Sequence, residues 1–263
     1  MTTLTPAGPR RGVVAGRHPV AKLVAALLIA LPLVVTIDPV SAGVALGLEV
    51  PLLFSAGLTA RQFWLRTLPL WLAAPAAAVT IALYGQSSGR VLFEWLFVHV
   101  SEGSILLGLS AMLRVLAIGL PAVVLFVTVD PTDLADGLAQ VLRLPARFVL
   151  GGLAGMRMLG LLVEDWRALA LARRARGVAD AGRIRRVAGM AFALLVLAIR
   201  RGSALATAME ARAFGAPGPR TWARPSRLGG ADVLLMVLAL AIPTIALAAA
   251  VVTGSFRPVF GGG

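Results

Sequence analysis

FVLGGLAGMRMLGLLV (residues 148–163), EDWRALALARRARGVADAGRIRR (164–186) and VAGMAFALLVLAI (187–199) together decide how this chain folds. A helix that crosses a bilayer core of about 30 Å needs roughly 20 apolar residues. The two apolar runs fall short of that, and between them stand Arg167, Arg173, Arg174, Arg176, Arg183, Arg185 and Arg186. If the runs crossed as a pair, these seven arginines would lie outside the cell, against the bias that keeps basic residues in the cytoplasm. Both runs are therefore expected to lie in or under the cytoplasmic interface, with apolar faces against a membrane bundle and arginines in water.

The rest of the chain supplies that bundle. Of the 263 residues 59% are hydrophobic and 14% charged, with a mean hydropathy of +0.88, a composition far too apolar for a water-soluble domain of this size. Five stretches come close to spanning length: 20–37, 40–58, 68–84, 105–129 and 231–253. The first apolar stretch runs on without a cleavage-like site, so a removable signal peptide is not expected. Arg10, Arg11, Arg17 and Lys22 place the N-terminal arm in the cytoplasm, and Arg61 with Arg66 bring the loop before the third span back inside. The 85–104 loop carries Arg90 as its one basic residue and is expected outside, whereas 16 arginines lie between Asp130 and Gly229. On this topology 22 of 25 basic residues are cytoplasmic, and the last span leaves Arg257 and the 261–263 tail outside.

The expected fold is an all-α integral membrane protein of a cell membrane, multi-pass, with about five transmembrane helices and about three cytoplasmic ones. Its segments are a cytoplasmic arm (1–19), four spans (20–129), a cytoplasmic helical region (130–229), and a last span with a short external tail (230–263). The net charge of +13 then serves topology, and no nucleic-acid partner is expected. The chain has no cysteine, which excludes disulfides, thiolate catalysis and thiolate-held metals.

Within residues 130–229, VDPTDLADGL opens with a helix start: Asp130 as N-cap, Pro131 at the first helical position and Asp133 at the positive end of the dipole. Leu144-Pro145 ends that helix. A second is expected over about 146–176 with Gly177 as its C-terminal glycine, and a third over about 183–212, closed by Gly215, Pro217, Gly218 and Pro219. The two long helices end alike. Ala170, Ala172, Ala175 and Arg176 match Ala206, Ala208, Ala211 and Arg212 at a fixed offset of 36 residues. Small alanines permit close approach of a partner surface, and a guanidinium makes bidentate bonds to a carboxylate or to backbone carbonyls. Capping of their own helices, or contact with anionic headgroups, explains the same pattern.

Other chemistry is thin. The only lysine is Lys22 and no G-x-x-x-x-G-K-[ST] occurs, so the chain has no phosphate-cradling loop of its own and is not expected to be an enzyme. No metal site or cofactor is expected, since His18 and His99 lack ligand partners at usable spacing. Glu49 and Arg114 fall inside spans, where a charge at the helix centre costs about 2.5 to 3.5 kcal/mol on insertion scales. Their pairing across the bundle is the expected structural arrangement.

Residues 101–177, SEGSILLGLSAMLRVLAIGLPAVVLFVTVDPTDLADGLAQVLRLPARFVLGGLAGMRMLGLLVEDWRALALARRARG, followed by EARAFG, resemble the transmembrane T component of energy-coupling factor (ECF) importers. Those proteins carry two short Ala-Arg-Gly-like motifs at the ends of cytoplasmic coupling helices. The resemblance implies that Ala175, Arg176 and Gly177, and likewise Ala211, Arg212 and Ala213, dock in grooves of two ABC ATPase subunits. Ala213 stands where glycine is usual. It further implies a small substrate-binding membrane subunit as partner, uptake of a vitamin, vitamin precursor or metal ion, and ATP with magnesium used by the partner subunits. Two alternatives stay open: a permease subunit of a conventional ABC importer, docking through the one segment ADGLAQVLRLPA, and a membrane enzyme acting on lipid-linked diphosphates through magnesium held by Asp130, Asp133 and Asp136.

Overall fold

The computed structural model describes residues 12–85, 91–95, 98–177, 182–216 and 221–258. Arg10, Arg11, Arg90, the 217–219 helix terminators and the 261–263 tail lie outside the described residues, as do the side chains of Arg183 and His99. Among those described, the elements run α1 (Pro19–Val34), α2 (Pro39–Ser55), α3 (Ala60–Tyr84), β1 (Val91–Trp95), β2 (Val98–Ser101), α4 (Glu102–Val127), α5 (Pro131–Gln140), α6 (Ala146–Ala175), α7 (Arg183–Ala211) and α8 (Gly230–Val252). They divide into two compact units, residues 1–134 with 227–263, and residues 135–226.

In the first unit each helix starts where the sequence supplies a cap. The Nδ1 of His18 accepts the Val20 N–H at 3.2 Å, and Asp38 Oδ2 accepts the Ser41 N–H at 2.6 Å, each with proline next in the chain. Thr59 with Gln62, and Ser101 with Ser104, form reciprocal capping boxes for α3 and α4. Asp232 does two jobs: one oxygen accepts the Gly229 N–H at 2.8 Å, the other the His18 N–H at 2.9 Å. That second bond sets the starts of α1 and α8 side by side.

Further contacts fix the direction of every helix in this unit. Val14 donates its N–H to Ser55 O at the end of α2, and Lys22 Nζ donates to Thr128 O and Oγ1 at the end of α4. At the opposite end Ile37 donates its N–H to Arg257 O, and Ser104 Oγ donates to Ala82 O. α1, α3 and α8 thus point one way, α2 and α4 the other. Residues 128–134 and 227–232 accordingly lie at the same end of the unit, so the segment that joins them crosses any membrane an even number of times or not at all.

Alanine dominates the core. Ala21, Ala25, Ala26 and Ile29 of α1 meet Ala45, Ala117, Leu235, Ala239 and Ala246, all buried. Small residues bring helix backbones close where lipid supplies no hydrophobic drive. Gly108 of α4 is packed tightly on α3, since a Cβ there would stand 2.6 Å from Ala78 O. Each of these five helices also contains proline, tolerated where neighbouring helices satisfy the freed carbonyls.

The outline matches the all-α membrane fold expected, but the lengths differ. Five helices are long and apolar enough to cross a membrane: α3, α4, α6, α7 and α8. α1 and α2, with 16 and 17 residues, reach about 24 and 26 Å at 1.5 Å per residue. α1 stops early because residues 36 and 37 pair with the 257–258 backbone instead of extending the helix. α6 and α7, with 30 and 29 residues, are longer than their apolar runs because alanine, arginine and leucine carry the helix past them without a proline. β1 and β2 pair antiparallel, a hairpin not expected from the sequence; β-branched and aromatic residues in VLFEW and VHVS favour it.

One expected contact is corrected. Glu49 and Arg114 do not pair: both carboxylate oxygens of the buried Glu49 lack a hydrogen-bond partner. The charge acting on Arg114 is that of Asp38, which caps α2 through Oδ2 and leaves Oδ1 unbonded. Asp38, not the mid-helix glutamate, bears on the α4 arginine without bonding to it: Asp38 Oδ1 and Arg114 Nη2 are both buried without a hydrogen-bond partner.

Candidate docking arginines

The second unit holds α5 from Ala135 onward, α6 and α7. Asp130 caps α5, accepting the Thr132 N–H at 2.7 Å and the Asp133 N–H at 3.4 Å through Oδ1. That carboxylate oxygen is committed to the helix start. Gln140 at the end of α5 clamps the returning chain: its amide nitrogen donates to Arg224 O at 2.9 Å and its oxygen accepts the Ser226 N–H at 2.8 Å. α6 and α7 have no side-chain caps at their starts. Their described residues are exposed or half-buried, with no buried residue in α6 and Met190 buried in α7.

Both ends of interest are C-caps of the same design. Arg176 closes α6 with its N–H on Ala172 O, and Gly177 follows at φ +68° with its N–H on Arg174 O at 3.1 Å. Arg212 closes α7, and Ala213 follows at φ +54° with its N–H on Glu210 O at 2.9 Å. Phe214 then donates its N–H to Met209 O at 2.9 Å, completing a Schellman turn. Ala213 takes the left-handed conformation that glycine takes at 177, so the turn survives the missing glycine at a cost of about 1 kcal/mol.

Backbone, then, satisfies these helix ends, and the arginine side chains are left over. Ala175, Arg176 and Gly177 are exposed, as are Ala211, Arg212 and Ala213. Neither Arg176 nor Arg212 makes a hydrogen bond or ion pair through its guanidinium with any described residue. The cation sits at the negative end of each helix dipole, flanked by alanine, where it projects a fork of donors from a rigid stem.

Two features escaped the sequence reading. Asp165 of α6 and Arg201 of α7 form a bidentate ion pair, Nη1 to Oδ2 and Nη2 to Oδ1, the second at 3.1 Å. The signal for it was the 36-residue offset that already related the helix ends. Lys22, 1% exposed, is the other: it donates to Ala15 O at 2.9 Å and to Thr128 at the C-cap of α4. A lone lysine in a predominantly apolar stretch gave no sign of that latch.

The profile of the CbiQ family, described as cobalt transport protein, matches residues 13–222. An energy-coupling factor transporter transmembrane protein EcfT from Acidaminococcus fermentans is 26% identical over 237 residues, covering 85% of this chain and 87% of the relative. The protein of the same name from Limosilactobacillus fermentum is 25% identical over 206 residues, 71% of this chain and 76% of the relative. That from Bacillus subtilis is 29% identical over 161 residues, 57% and 61%. With the profile spanning most of its length, the chain belongs to the CbiQ cobalt transport protein family, the multi-pass T components of energy-coupling factor transporters.

Proposed function

We propose that this T component joins two ABC ATPase subunits to a small substrate-binding membrane subunit, and that Arg176 and Arg212 are the two ATPase docking points. The observation that carries this reading is the pair of exposed guanidiniums at matching C-caps, neither of them used by a described residue. Each would enter a groove lined by carboxylates or carbonyls, with Ala175 and Ala211 letting the groove wall approach. The chain binds no nucleotide itself; ATP and magnesium are used by the partners. The cargo is a vitamin, vitamin precursor or metal ion, carried by the substrate-binding subunit.

Charge supports the orientation. The end of the first unit that holds residues 14–22, 55–57, 128–134 and 227–232 is also where Arg17 lies and where the arginine-rich segment leaves and returns. By the positive-inside bias that end faces the cytoplasm, with the N-terminus, and α6 and α7 stay on that side or in its interface. Closure of the ATPases on ATP would then do work on this chain only if their open and closed states hold the two arginine ends differently.

Purification from native membranes in mild detergent, followed by identification of co-purifying chains, tests the reading. Two ABC ATPase subunits and one small membrane protein are expected; recovery of the chain with no ATPase would contradict it.

A further inference from the structure

The ion pair between Asp165 and Arg201 has a position that its strength does not explain. Asp165 precedes Arg176 on α6 by the same number of residues as Arg201 precedes Arg212 on α7, because both pairs share the offset of 36. At 1.5 Å per residue each docking arginine lies about 16 Å beyond the bridge, measured along its own helix. The helices run antiparallel there, since Arg173, further along α6, lies over Gly189, further back along α7, where a Cβ would stand 2.9 Å from its Nη2. The two docking ends therefore point away from the bridge in opposing senses.

This is the arrangement of a two-fold axis. When two like elements pack about such an axis, equivalent positions meet on it and all others are displaced symmetrically. Asp165 and Arg201 are equivalent by the offset, and they are the positions that meet. Beyond the bridge α6 runs through WRALALARRA (166–175) with neither glycine nor proline, and α7 through GSALATAMEA (202–211), whose one glycine, Gly202, adjoins the bridge itself. Both arms are built from strong helix formers, mostly alanine, leucine and arginine. Rigid arms of equal length on a shared contact convert a displacement at one end into a change of angle.

Resting on the docking reading above, we propose that the Asp165–Arg201 bridge is the pivot about which α6 and α7 turn when the ATPases move Arg176 and Arg212. The bidentate fork holds the crossing point while allowing the angle to change, because its donors stay matched to one carboxylate. An apolar contact at the same place would let the helices slide. The bridge is a positioning device; it touches neither nucleotide nor cargo.

The absence of cysteine makes paired spin labels clean reporters in the complete complex. One pair, Glu164→Cys with Arg200→Cys, sits beside the bridge; another, Ala172→Cys with Leu195→Cys, sits away from it on the docking arm of α6 and the facing stretch of α7. On adding ATP and magnesium with vanadate, the distant pair should change separation by several ångströms while the near pair holds. Asp165→Arg or Arg201→Asp alone should keep the ATPases bound but abolish the change at the distant pair. The doubly swapped Asp165→Arg/Arg201→Asp chain should restore it. A near pair that shifts as far as the distant one overturns the pivot, as do single variants that move normally, single variants that shed the ATPases, or a swap that fails to rescue. Failure of the docking reading looks different: ATPases would stay bound to Arg176→Glu and Arg212→Glu chains whatever the label pairs report.

Discussion

At the scale of single residues, the two helix ends differ in one atom group and in little else. Gly177 takes its left-handed turn without strain, while Ala213 takes the same turn against the clash of its Cβ. Ala213→Gly should raise stability by about 0.5 to 1 kcal/mol, and Gly177→Ala should lower it by about 1 kcal/mol. Thermal unfolding of the detergent-solubilised chain measures both, and equal effects of like sign would contradict the turn assignment. Lys22 is a stronger case. Its ammonium is buried among carbonyls at the negative end of the α4 dipole, so Lys22→Met leaves acceptors buried without donors and should cost about 2 to 4 kcal/mol. An unfolding midpoint close to that of the unaltered chain would show that the latch is dispensable. The matching arginine-bearing helix ends were legible in the sequence because a repeated Ala-Arg before a turn residue is a local pattern. The Lys22 latch was not, because it depends on which helix end arrives beside it.

Among the elements, α3 and α4 are held at close range by Gly108 against the Ala78 carbonyl. Gly108→Ala should destabilise the bundle by about 1 to 3 kcal/mol, since that carbonyl cannot move without its helix. Gly151 in α6 is the opposite case, with nothing near its absent Cβ. Gly151→Ala should be neutral or stabilising by up to about 1 kcal/mol through helix propensity alone. The same unfolding assay compares the two, and a reversal of their order would contradict the packing described. α6 and α7 were readable to within a residue or so because Pro145, Gly177 and Gly215 punctuate them. The lengths of α1 and α2 were not, since pairing of residues 36 and 37 with the 257–258 backbone is a tertiary event that hydropathy does not register. Nor does hydropathy separate α6 and α7 from spanning helices; the chain direction at residues 128–134 and 227–232 allows a paired crossing, and only the seven arginines between the apolar runs argue against it.

For the whole molecule, the proposed docking requires both arginine ends to lie on the cytoplasmic side, within reach of a pair of ATPases. The orientation predicts that Ala172→Cys reacts with a membrane-impermeant maleimide in inside-out vesicles and Thr253→Cys in right-side-out cells; the reverse labelling would invert the topology. Docking itself is tested most directly by the stoichiometry of ATPase recovered with the chain in mild detergent, unaltered and as Arg176→Glu/Arg212→Glu. The account predicts two ATPases per unaltered chain, a loss of at least about tenfold in the double variant, and equal membrane insertion of both. Undiminished ATPase on the double variant would contradict it.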